Sequence, residues 1–162
     1  MSRMPQTNVH PNVKVVQQQL ADAGVDSTVI LLDDGVHTAA AAAAALGVQV
    51  GQIANSLIFE VAGEPLLILT SGSHRVDTTK VANDLGLAKL KRAAPEFVRE
   101  HTGQPIGGVA PVGHPSPLRT LLDVSLGEFD VIWAAGGVPQ AVFPISYPEL
   151  LKLTGATEVE VA

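Results

Sequence analysis

The sequence has no cysteine, which removes disulfides, thiolate metal sites and a cysteine nucleophile from consideration. Aromatic residues make up only 4%, so a core must be assembled from Val, Leu, Ile and Ala, and a platform for stacking several bases is not expected. Basic charge is also scarce. Ten Lys plus Arg stand against sixteen Asp plus Glu, a formal net charge of -6, so no global field draws the chain onto a polyanion. Contact with nucleic acid must then be local, and DNA is not an expected partner. No apolar run approaches the ~20 residues that cross a bilayer, and residues 1–11 are polar without a signal-peptide core. The expectation is a soluble, cytoplasmic protein that does not engage a membrane.

Common catalytic signatures are missing too. There is no Gly-x-x-x-x-Gly-Lys-Ser/Thr, no Gly-x-Gly-x-x-Gly and no Gly-x-Ser-x-Gly. The five histidines, His10, His37, His74, His101 and His114, have no i, i+4 partner, so neither a metal nor another cofactor is expected. Ser73-His74 pairs a nucleophile type with a base type, but sequence neighbours rarely face each other productively, and the pair reads as a turn.

What is present is apolar and well punctuated. Hydrophobic residues make up 46% of 162 positions, enough for one domain over residues 1–162, with residues 1–11 as a flexible extension. Helical spacing covers residues 12–23 before Gly24. Residues 28–32 read as a short strand. Thr38 can cap a helix of seven alanines and Leu46, stopped by Gly47. Residues 53–61 and 66–70 form a hairpin across Ala62-Gly63-Glu64-Pro65. A helix over residues 78–85, a strand at 88–90 and a helix from Pro95 to about Thr102-Gly103 follow. After the loop come strands at 118–124, 130–135 and 142–145, a helix at 148–153 and a strand at 158–161. Without strict βαβ alternation, the expected class is α+β: one mixed, partly barrelled sheet flanked by helices.

The strongest chemical signal is the loop Gly107-Gly108-Val109-Ala110-Pro111-Val112-Gly113-His114-Pro115. Glycine allows close approach and unusual dihedrals while proline fixes the bends, so the run reads as a shaped main-chain surface able to hold a carbonyl or oxyanion. The plainer reading is a structural turn. Other features stand around it in a set order: His37-Thr38 before the alanine helix, Ile53-Ala54-Asn55-Ser56-Leu57 opening the hairpin, Val76-Asp77-Thr78-Thr79-Lys80 opening a helix, Thr102-Gly103 before the loop, then Leu122-Asp123 and Gly136-Gly137.

This order resembles the YbaK/prolyl-tRNA-synthetase-associated (ProX) family of aminoacyl-tRNA editing domains. The resemblance implies hydrolysis of the ester that links a wrong, small amino acid to the 3′-terminal adenosine of a tRNA, with a synthetase as a further partner. It also implies that the loop presents backbone groups to the aminoacyl moiety while the substrate's ribose hydroxyl helps orient water. An aminoacyl ester is already activated, so positioned water and oxyanion stabilisation suffice. By the resemblance Gly107, Gly108, Val109, Ala110 and Pro111 form the loop, Gly113 and His114 flank it, and Gly136 and Gly137 line the opposite wall. A side chain at Gly108 is expected to fill the pocket.

Many members carry lysine where this chain has Asn55, which offers a neutral donor and acceptor instead of a charge. Two readings stay open: Asn55 binds an ester carbonyl or amine in an active deacylase, or the chain is a binding module that kept the pocket and lost the chemistry. His37 is a pocket candidate beside its simpler reading as a turn residue. His114 is a candidate proton carrier, or a hydrogen bond holding the loop. Asp123 is expected to fix the loop through its carboxylate. Lys80, Lys89 and Arg92 are candidates for tRNA phosphates, their plainer role being a solvated face.

Overall fold

The computed structural model describes residues 10–162. The element order is α1 (Pro11–Asp22), β1 (Ile30–Leu31), α2 (Ala39–Leu46), β2 (Ile53–Val61), β3 (Glu64–Ser71), α3 (Thr78–Leu85), β4 (Leu90–Arg92), α4 (Pro95–Thr102), β5 (Arg119–Asp123), β6 (Ile132–Ala135), β7 (Ala141–Ile145), α5 (Tyr147–Thr154) and β8 (Thr157–Val159). The extension expected over residues 1–11 falls mostly outside the described residues. Its last two belong to the fold, since His10 caps α1 by accepting from the Asn12 amide and Pro11 opens the helix.

Local chemistry accounts for most boundaries. Thr38, Asp77 and Ser146 each accept a backbone N–H from the first turn of α2, α3 and α5. The hairpin is tighter than the sequence suggests. Ala62 at φ 51° and Gly63 at φ 83° make a two-residue turn, and Glu64 and Pro65 already pair with Val61 and Glu60. Two positive φ values match the twist of the flanking strands. The strand expected at 88–90 lies at Leu90–Arg92, because pairing with residues 59–61 of β2 sets its register.

The eight strands form one mixed sheet in the order β1-β7-β6-β2-β3-β5-β8, with β4 also paired to β2. The β2–β6, β3–β5 and β5–β8 pairs are parallel, the rest antiparallel. On one face α1, α4 and α5 bury Val16, Leu20, Val98 and Leu150 against Ala54, Ile58, Leu67, Leu122 and Phe143. On the other, α3 covers Phe59, Leu66, Ile68 and Leu121, and α2 packs Ala42 and Ala43 on Ile53.

One consequence of this topology positions the site. β3 occupies the whole of one edge of β2, while the other edge is shared: β6 pairs with residues 53–54 and β4 with residues 59–61. Residues 55–58 have no strand partner on that side, so the sheet carries a notch.

Candidate active site

Two cavities meet at the notch. One, of about 280 Å³, lies among His37, Thr38 and Ala42 at the start of α2, residues 53–56, Trp133, Ala134 and Ala135 of β6, Pro139, Val142, Gly107 and Val109. The other, of about 170 Å³, lies among residues 55–59, Arg92, Ala93, Val98, Ile106, Gly107 and Val109. Asn55, Ser56, Gly107 and Val109 line both. The glycine–proline loop and Asn55, 52 residues apart, thus share one concavity.

The loop is held by a side chain that the sequence reading did not single out. Gln104 is 1% exposed. Its Oε1 accepts from the Ala110 amide at 2.7 Å, and its Nε2 donates to the carbonyls of Val112 and Gly113 at 3.1 and 3.4 Å. Thr102 Oγ1 in turn accepts from the Gln104 amide and donates to the Val98 carbonyl, which anchors the loop to α4. The His114 ring, through Nε2, donates to the Ala110 carbonyl at 2.8 Å. Burial pushes the His114 pKa below its ordinary value, against the opposing pull of the Ala110 carbonyl, so the ring is neutral at pH 7. That geometry matches the loop-holding alternative for His114.

These bonds sort the loop's amides. Gly108 donates to the Pro105 carbonyl, Ala110 to Gln104, and Gly113 to Gln19 Oε1, while Pro111 has no N–H and lies buried. The amides of Gly107 and Val109, which line both cavities, have no acceptor among the described residues. The Val112 and His114 amides also have no acceptor among the described residues but border neither cavity, so at the cavities the expectation of consecutive N–H groups narrows to the alternate pair Gly107 and Val109, with Gly108 and Ala110 consumed in holding the loop's shape.

Several expectations need correcting. A Cβ on Gly108 would sit 2.5–2.7 Å from the main chain of Val138 and Pro139, so a side chain there pushes the loop off the 138–139 turn instead of filling the pocket. Gly136 and Gly137 lie behind the wall, not on it: a Cβ would meet Val29 at 2.7 Å and Asn12 at 3.0 Å respectively, and Asn12 Nδ2 donates to the Gly137 carbonyl. The opposite wall is Trp133, Ala134, Ala135 and Pro139. Lys80 is engaged by Asp84 at 2.9 Å and Glu160 at 3.6 Å, contacts that raise its pKa, the Asp84 hydrogen bond most. Lys89 is exposed before β4 and borders neither cavity, whereas Arg92 lines the smaller one.

Asp123 does not touch the loop. It is 1% exposed at the end of β5, where it accepts from the Ser71 amide, Thr70 Oγ1, the Ser125 amide and hydroxyl, and His74 Nδ1 at 2.9 Å. Burial alone would push its pKa up; these hydrogen bonds outweigh that and hold the carboxyl below its ordinary value. The carboxylate ties together the ends of β3 and β5 and the 71–74 turn. Ser73-His74 is a turn, with His74 oriented by Asp123 and Ser73 bonded to Ser71.

The fold is thus a mixed sheet with helices on both faces, and its notch opens on two small cavities that share Asn55, Ser56, Gly107 and Val109. Residues 33–153 match the family model of the aminoacyl-tRNA editing domain, and the chain belongs to that family. Over 144 residues it is 30% identical to the uncharacterized protein YwhH of Bacillus subtilis (strain 168), covering 88% of this chain and 91% of that one. It is 36% identical over 102 residues to a proline–tRNA ligase of Nitratidesulfovibrio vulgaris (strain DP4), 63% of this chain but only 18% of the ligase. The crystal structure of a candidate trans-editing enzyme for prolyl-tRNA synthetase superposes with a TM-score of 0.90 at 42% identity, covering 95% of this chain and 98% of that one.

Proposed function

We propose that the protein hydrolyses the ester of a mischarged aminoacyl-tRNA carrying a small amino acid. The observation that carries this is the pair of unclaimed amides, Gly107 and Val109, beside Asn55 on the wall between the two cavities. Two such donors suit an oxyanion that develops as water attacks the ester carbonyl, and the carboxamide of Asn55 adds a neutral donor and acceptor. The leaving group is the ribose oxygen of the 3′-terminal adenosine. The larger cavity, with Trp133 and His37 on its wall, suits that nucleoside, and the smaller, more apolar one suits the aminoacyl group.

Arg92, at the smaller cavity, and Lys89 nearby in sequence are the basic residues left to meet acceptor-strand phosphates. Lys80 drops out of the reading because its charge is already balanced by Asp84 and Glu160. A synthetase is the natural partner for such a domain, in the compartment where tRNAs are charged, the cytoplasm. The test is ester loss from tRNAs charged with Ala, Ser, Thr, Cys, Val and Pro. Acceleration over the uncatalysed rate for at least one small residue is expected; none for any of them would overturn the reading.

A further inference from the structure

Ser56 Oγ is buried and has no hydrogen-bond partner, the one such side-chain atom among the described residues. A buried hydroxyl left unpaired is costly, and native structures tolerate it chiefly where something else completes the bond. The residue lies on the wall common to both cavities. Strand alternation puts its side chain on the same face of β2 as Ala54 and Ile58, toward Val98 and Val109.

The main chain of Ser56 is equally unengaged. Ala93 N donates to the Ile58 carbonyl, so even-numbered residues of β2 direct their backbone groups to the edge shared by β4 and β6. Ser56 is the even-numbered residue that falls between the two flanking strands. Its main-chain groups face the notch, while its hydroxyl, on the adjoining face of the strand, is left for the acyl side chain.

We infer that Ser56 is the specificity-determining residue of the site, and that its hydroxyl selects an aminoacyl group whose β-carbon bears a hydroxyl over the isosteric apolar one. This rests on the editing reading and names its substrate class. A neutral hydroxyl is the better match for Oγ than the ammonium. No carboxylate lines the smaller cavity, Arg92 does, and an ammonium carried in there would be left without a counter-charge. The size also fits, since a 150 Å³ cavity accepts benzene and this one, at about 170 Å³, has room for a threonine side chain.

The discriminating pair is threonyl against valyl, equal in shape and different by one hydroxyl. Two substrates of each kind separate this inference from the editing reading: the charged tRNA, and adenosine carrying the amino acid through a non-hydrolysable 3′-amide. The wild-type protein is expected to favour threonyl about tenfold or more in kcat/KM and in Kd. Ser56→Ala is expected to bring both ratios close to one, with no fall in Tm, because the hydroxyl has no partner inside the protein to lose. Amide discrimination without any ester hydrolysis would overturn the deacylase reading and support this one. Equal ratios in both proteins, or a Tm several degrees lower in Ser56→Ala, would overturn the role given to Ser56.

Discussion

Gln104 is the side chain on which the site's shape depends most. One carboxamide closes the loop from inside by binding Ala110, Val112 and Gly113. Gln104→Leu keeps most of the volume but leaves a buried amide and two carbonyls unpaired. The expected loss is about 1–3 kcal/mol of stability, read as a lower denaturation midpoint, together with a fall in kcat/KM as the Gly107 and Val109 amides lose their alignment. An unchanged midpoint would show that water replaces the carboxamide and that the loop holds itself. The residues differ in how visible they were beforehand. Asn55, Gly107 and Val109 stand inside recognisable motifs, whereas Gln104 is a polar residue in a polar stretch, and its burial arises from residues that come later in the chain. Ser56 sits in the same motif as Asn55, yet its orphaned hydroxyl follows from where two other strands stop.

Among the elements, the β3 and β5 ends and the 71–74 turn hang on Asp123. Its carboxyl titrates below the ordinary value of 3.8 in the folded chain. The stabilisation is therefore complete above that value and is lost as pH falls through the lower folded one, where the native carboxylate takes up its proton. Acid unfolding of the wild type should steepen below about pH 4. Asp123→Asn should lose about 1–3 kcal/mol at pH 7 and show a flatter acid limb; an equal acid dependence in both proteins would assign the effect to other carboxylates. Most elements themselves were legible. Caps at Thr38, Asp77 and Ser146 and glycines just past α2, α3, α4 and α5 carry their geometry in the local sequence. The register of β4 was not, because a three-residue strand with one buried side chain, Leu90, takes its position from β2.

For the molecule as a whole, charge bounds how the substrate is held. With a net charge of -6 and Arg92 the one cation on either cavity wall, few phosphates can be engaged. Plotting log K for tRNA binding against log salt should give a slope no steeper than about -2, each single-strand phosphate contact contributing roughly -0.7. A much steeper slope would require a basic surface that the fold does not offer near the notch, and would move the binding face elsewhere. No described helix is long and apolar enough to cross a membrane. The sequence alone determined the material at the notch: a glycine–proline loop at residues 107–115 in a chain without cysteine, and the capped, glycine-stopped helices around it, since composition and short-range sterics are local properties. The tertiary structure decided which amides remain free and what faces them. That depends on a glutamine reaching six to nine residues along the chain and on β4 and β6 stopping short of each other along β2, and both are through-space outcomes of packing that no local pattern encodes.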